Sequence, residues 1–229
     1  MKTETPDRPP RPPGSQLAFD LPVTEGLRRE DFFPSPANAA ALAALDDPAQ
    51  RRLLLIGPHG AGKTHLVHVW AEARQARLVR MPDLPALLPD LPPDAALAID
   101  DADAAPGRDE AALFHLWNRL APEGQLLLTA ATAPRDWGLV LPDLISRLQT
   151  LPQVHLSPPD DALLSAVLVK LFADRQVSVP ANLIPYLLAR MERSIAAARQ
   201  IVARLDAAAL ARGRPITRAL AAEVLDPPA

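Results

Sequence analysis

The sequence contains no cysteine. That excludes a disulfide framework, a thiolate nucleophile and a cysteine zinc site. Aromatic residues make up only 4% of the chain. Alanine and leucine stand in their place, a composition that favours helices. No apolar run approaches the ~20 residues needed to cross a bilayer. The opening "MKTETPDRPPRPPG" also lacks the apolar core of a signal peptide, so a cytoplasmic protein with no membrane partner is expected. Net charge is −3, which does not favour wholesale electrostatic capture of nucleic acid. What remains is substantial: 229 residues, 48% of them hydrophobic, suffice for one core and a smaller companion.

Three stretches organise the chain. Residues 1–22 form a proline-rich tail, expected to be extended and mobile over 1–15, that ends in the apolar peptide "QLAFDLP". Residues 23–157 alternate apolar runs with helical patterns. Strands are expected over 51–57, 76–81, 95–103, 125–131 and 153–156, and helices near 37–45, 63–75, 109–124 and 141–149. Short buried runs alternating with helices predict a parallel α/β layered domain. After "SPPDD" only helical periodicity remains, with helices expected over 160–175, 180–191, 194–212 and 217–225. Ser194 and Thr217 sit where N-caps belong. Residues 158–229 therefore read as a helical subdomain, hinged at the proline pair.

The chemistry concentrates in "GPHGAGKT", whose Gly57, Pro58, His59, Gly60, Ala61, Gly62, Lys63 and Thr64 fit the phosphate-loop spacing. Glycines let backbone N–H groups wrap a phosphate, and the following helix, beginning with Lys63, Thr64 and His65, points its positive end at the same anion. Lys63 adds a cation, and the Thr64 hydroxyl can ligate Mg²⁺. Asp100 and Asp101 end the "LAIDD" strand. Asp100 is assigned to the metal with Thr64, and Asp101 to positioning of the attacking water. Thr129 or Thr132, at the end of the next strand, is a candidate sensor of the terminal phosphate; a solvated strand end is the alternative. Arg147 is a candidate arginine finger acting on a neighbour, or else a surface ion pair. His65 and His68, with His59 and His115, are not read as a metal site, because no carboxylate is spaced to complete one.

Taken together, "GPHGAGKTHLVHVW", "REDFFPSPANAAAL", "LAIDD" and "SRL" resemble the AAA+ core of the bacterial replication initiator DnaA, over roughly residues 24–225. No helix-turn-helix segment follows within the 229 residues, and the initiator's long N-terminal domain has no counterpart. The resemblance therefore narrows to the Hda family of DnaA-related regulators, in particular its alphaproteobacterial HdaA form. It implies an AAA+ P-loop NTPase fold with five parallel strands in the order 5-1-4-3-2 and an all-α lid. It also implies ADP or ATP with Mg²⁺ as cofactors, and self-association through AAA+ interfaces. The implied partners are DnaA and the polymerase III sliding clamp (beta subunit), with no sequence-specific DNA binding. "QLAFDL" resembles a clamp-binding peptide, with Gln16, Leu17, Phe19, Asp20 and Leu21 as its contacts; packing on the chain's own α/β domain is the alternative. Two departures stand out. Ala196 aligns with a lid arginine of DnaA, although Arg193 and Arg199 are near, and Ala131 aligns with an acidic sensor residue.

The expected function is thus an adaptor that binds the clamp and stimulates ATP hydrolysis by DnaA, preventing re-initiation, with weak or partner-dependent turnover of its own. The alternative is an AAA+ ATPase acting as a helicase loader or DnaC/IstB-like helper on DNA. A pure interaction module with a dead nucleotide site is disfavoured by the complete "GKT" and "DD".

Overall fold

The computed structural model describes residues 27–104 and 110–225. The tail, including the peptide Gln16–Leu21, lies outside the described residues.

The first half of the chain reads helix α1 (Ala39–Asp46), strand β1 (Arg52–Ile56), α2 (Lys63–Arg74) and β2 (Arg77–Val79). A four-residue α3 (Leu84–Leu87), β3 (Ala96–Ile99), α4 (Glu110–Arg119), β4 (Gln125–Ala130), α5 (Pro142–Gln149) and β5 (Gln153–His155) follow. All strand pairs are parallel, in the order β2-β3-β4-β1-β5. This is the expected 5-1-4-3-2 arrangement counted from the other edge.

The three central strands are apolar because both faces are covered by helices. Leu54, Leu55, Leu97, Ile99, Leu127 and Leu128 are all fully buried. Burying each such side chain stabilises the fold by roughly 1.5–3 kcal/mol before entropy is counted. Their opposite faces feed two separate clusters. Leu54, Leu97, Ile99 and Leu128 pack with α4 and α5, whereas Leu55 and Leu127 pack with α1 and α2.

The strand register aligns the ends that carry polar residues. Leu55 pairs with Thr129 across β1 and β4, and Ile99 pairs with Leu128 across β3 and β4. Asp100, one residue past β3, therefore stands level with Thr129, and the chain leaving β1 stands on the other side of it.

The second half is helical: α6 (Asp161–Asp174), α7 (Leu183–Leu188), α8 (Ile195–Arg212) and α9 (Arg218–Leu225). They share a core of Leu164, Leu168, Phe172, Leu187, Val202 and Leu205, among others. Ser194 caps α8 by accepting a hydrogen bond from Ala197 N at 3.0 Å. Asp160 caps α6 by accepting from Leu163 N at 2.7 Å. At the start of α9, Leu220 N donates to the Thr217 hydroxyl at 3.3 Å.

Two helices are shorter than the sequence pattern suggests. α4 ends at Arg119 rather than running to Gly124, because the chain beyond it is drawn into tertiary hydrogen bonds. Arg52 donates to the carbonyls of Leu120 and Ala121, and Ala121 N donates to Pro93 O at 2.8 Å. α7 is confined to Leu183–Leu188. Conversely, "MPDLPALLPDLPP" contains α3 between two single-turn helices, where its prolines hide any periodicity. Replacing Leu127 by Ala in the central strand is expected to cost about 2–5 kcal/mol in urea unfolding.

Candidate nucleotide site

β1 delivers the chain into the loop Gly57–Gly62, and α2 begins at Lys63. Gly60 and Gly62 have φ of +76° and +97°, a region that side chains rarely adopt. A Cβ on Gly60 would also stand 2.5 Å from Ser194 Cβ. The loop is thus pressed against the N-terminus of α8, and Ile195 N donates to Gly60 O at 3.0 Å. The helical subdomain is tied to the phosphate loop by main chain.

Lys63 is 5% exposed, and its ammonium donates to the carbonyls of Gly57 at 2.9 Å and Pro58 at 3.3 Å. The Thr64 hydroxyl donates to Asp100 Oδ2 at 2.6 Å. The other Asp100 oxygen accepts from the Thr129 hydroxyl. Thr129 in turn accepts from Asp101 N at 2.9 Å. Thr129 is fully buried in β4, and its hydroxyl is satisfied both as donor and as acceptor.

Asp101 adopts φ +49°, which Asp tolerates better than most residues. Its carboxylate stands 3.8 Å from Lys63 Nζ. Burial raises the Asp101 pKa, and the neighbouring Asp100 charge raises it further, while Lys63 opposes both. Asp100 and Thr64 thus form a compact pair of hard oxygen donors, the type of set that takes Mg²⁺ together with water and phosphate oxygens.

Thr132 is exposed, and its hydroxyl donates to Asp103 at 3.2 Å. The same Asp103 oxygen accepts from Ala131 N at 2.8 Å and Thr132 N at 3.1 Å. Sequence reasoning misses Asp103, because its partners lie nearly thirty positions away; the run of acids after β3 is the only signal. Arg147, on α5, hydrogen-bonds Asn118 and lies over the Phe114 ring, 5.1 Å from its centroid. These partners are on α4 rather than in the phosphate loop.

Beside the loop, between the two halves of the chain, lies a cavity of about 550 Å³. Phe32, Phe33 and Asn38 line it on one side, Leu163 and Val167 of α6 on another, with Ile195 and Arg199 of α8. Asn38 shapes the aromatic wall by donating to Phe33 O and accepting from Ser35 N, each at 2.9 Å. His65 points to the same wall. Its ring meets Phe32 edge-on at 5.1 Å, and its Nε2 lies 2.9 Å from Arg28 O. Burial lowers the His65 pKa, which the Arg28 carbonyl partly offsets. Lys170 of α6 pairs with Asp31 at 2.9 Å, bridging the rim of the cavity. Arg193 is paired with Asp161. Ala196 is exposed on the first turn of α8.

No protein-family model matches the sequence. Among solved structures, the chain is similar to domain III of the Thermotoga maritima replication initiation protein DnaA. The identity is 20% and the TM-score 0.75, over 90% of this chain and 98% of that one. It is also similar to replication initiator DnaA bound to AMPPCP and single-stranded DNA (19% identity, TM-score 0.65, 77% of this chain and 63% of that chain). A third is a Thermotoga maritima RuvB variant (19% identity, TM-score 0.65, 83% and 67%). These likenesses, with the strand order, show an AAA+ P-loop NTPase fold of the DnaA type.

The raised Asp101 pKa has a sign. Ionising this carboxyl costs the folded state more than the unfolded one. Its contribution to stability is therefore present below the ordinary carboxylate range and is lost as pH rises through the raised value. Asp101→Asn keeps the left-handed backbone acceptable. In the absence of nucleotide it is expected to melt above wild type at pH 7, with the difference vanishing toward pH ~4. Melting curves across pH check this.

Proposed function

We propose that this chain is a nucleotide-binding AAA+ regulator of chromosome replication. In this reading it is held on the polymerase sliding clamp by Gln16, Leu17, Phe19, Asp20 and Leu21, and stimulates ATP hydrolysis by the initiator DnaA. The observation that carries the nucleotide-binding part is one cluster: Lys63, Thr64, Asp100, Asp101 and Thr129 converge at the phosphate loop, and the helical lid is bonded to that loop through Ile195.

The residues divide the work by chemistry. Lys63 exchanges the carbonyls of Gly57 and Pro58 for phosphate oxygens, and the loop amides of Gly57 to Thr64 cradle the same anion. Thr64 and Asp100 would hold Mg²⁺, which when bound neutralises charge on the phosphates. Thr129 fixes both strand-end acids, so that Asp101 can orient a water. The cavity walled by Phe32, Phe33 and Ile195 receives the base and ribose of ADP or ATP, with His65 bracing its wall.

Turnover by the isolated chain is expected to be weak. Ala196 offers no guanidinium to the phosphates, and Arg193 is engaged by Asp161. At the end of β4, Ala131 has no acidic side chain, and Thr132 is held by Asp103. Arg147, set on α5 by Phe114 and Asn118, serves as the finger for a partner's nucleotide.

Mg-ADP or Mg-ATP at ~100 times its Kd should stabilise the protein by about 2.7 kcal/mol, and Lys63→Ala should lose most of that shift in thermal melting. Purified sliding clamp should retain the wild-type chain on a pull-down but not a Gln16→Ala/Leu17→Ala/Phe19→Ala variant. Arg147→Ala should bind nucleotide and clamp normally yet abolish clamp-dependent stimulation of DnaA ATP hydrolysis. Unchanged stimulation would show that the finger assignment is wrong. Vigorous DNA-stimulated hydrolysis by the isolated chain would instead favour a loader or IstB-like helper.

A further inference from the structure

The helical half is the basic half of the chain. Residues 158–229 carry nine Lys and Arg against seven Asp and Glu, although the whole protein is at −3. Several of these arginines serve the fold. Arg175 lies 3.7 Å from Asp206, Arg193 pairs with Asp161, Arg212 pairs with Glu223, and Arg204 donates to Val224 O.

Arg190 and Arg218 differ. Their guanidinium carbons lie 4.0 and 4.9 Å from the centroid of one ring, that of Tyr186. Both arginines are exposed, as is Arg214 in the turn before α9, while Tyr186 itself is buried beneath them. Among the described residues, none of the three has a carboxylate within ion-pair distance.

An arginine drawn to the face of an aromatic ring is held there by its charge and keeps N–H donors for other partners. Tyr186 thus holds two donor forks of like charge no more than about 9 Å apart, at reduced conformational cost. Such a pair is neutralised by an anion with closely repeated charges. A polynucleotide strand presents one every ~3.4 Å of axis, so it offers neighbouring phosphates to so close a pair at any register. A protein surface meets the pair only where two carboxylates happen to be placed to match. Because the arginines cover the ring, the face offers no platform for a base, and contacts to the backbone alone carry no sequence information.

We propose that Arg190 and Arg218, held over Tyr186, together with the exposed Arg214, form a site for the phosphodiester backbone of DNA. The site is separate from the nucleotide cavity and does not depend on its assignment. The test is fluorescence anisotropy of the full chain with labelled single-stranded and duplex oligonucleotides, titrated over salt. An Arg190→Gln/Arg218→Gln variant is expected to bind at least ~10-fold more weakly at low salt, with the slope of log affinity against log salt shallower by about two. Arg214→Gln should make the slope shallower by about one. An Arg51→Gln/Arg77→Gln variant removes the same charge from the α/β half and should bind within ~2-fold of wild type. Melting temperatures and nucleotide-induced shifts should match wild type in all three. Equal weakening in the two double variants would reduce the effect to net charge and overturn the proposal. So would absence of binding to either oligonucleotide, or polyglutamate binding as tightly as DNA, which would mark an acidic protein as the partner. Single-stranded and duplex probes bound with the same arginine dependence confirm the backbone as the ligand; a preference for one identifies its form.

Discussion

One carboxylate holds the site together. Asp100 accepts the Thr64 hydroxyl on one oxygen and the Thr129 hydroxyl on the other. These groups come from three different segments: the start of α2, the end of β4 and the end of β3. They meet because β4 runs between β1 and β3 in parallel register, so that Thr129 stands level with both neighbours' carboxyl ends. The crevice beyond those ends is where ligands of open α/β sheets bind. Thr129 does the rest by anchoring the Asp101 amide, which carries the second acid to within 3.8 Å of Lys63. A buried hydroxyl in an otherwise leucine-rich strand would be costly alone; here both of its hydrogen-bonding roles are filled.

The lid depends on the same loop. Ile195 N bonds Gly60 O, and Gly60 has no room for a side chain against Ser194. Under the proposed function, a change in the loop on phosphate binding would reach the N-terminus of α8 first, and α6 through the shared helical core. The Lys170–Asp31 pair makes a second tie, between α6 and the segment carrying Phe32 and Phe33. The two ties flank the cavity and join the α/β and helical halves on either side of it. The proposed DNA face lies about the end of α7 and the start of α9 and uses different residues from either tie.

Much of this arrangement is legible in local pattern. Apolar runs ending at Gly57 and in the acids from Asp100 on mark parallel strands, and the spacing of "GPHGAGKT" marks the loop between strand and helix. The strand order follows from resemblance rather than from any pattern of residues, and the sheet has it. What local pattern misses is long-range. Nothing near Asp103 says that it bonds Ala131 and Thr132, and nothing near Ser194 says that it lies on Gly60. Local pattern runs α4 too far because Arg52 and Pro93, distant in sequence, claim the groups that would have continued it. Phe32 and Phe33 enter the sequence reading only within "REDFFPSPANAAAL"; the fold makes them a cavity wall.

If one bound nucleotide organises the phosphate loop and the lid together, both should respond to it as a unit. Amide hydrogen exchange of the full chain, with and without Mg-ADP or a non-hydrolysable Mg-ATP analogue, reads that response residue by residue. Residues 57–66 and the first turn of α8, Ile195 to Ala198, are expected to gain protection in the same titration and with the same midpoint. Protection of the loop without the α8 turn, or no change at either, would show that loop and lid are not coupled through the nucleotide.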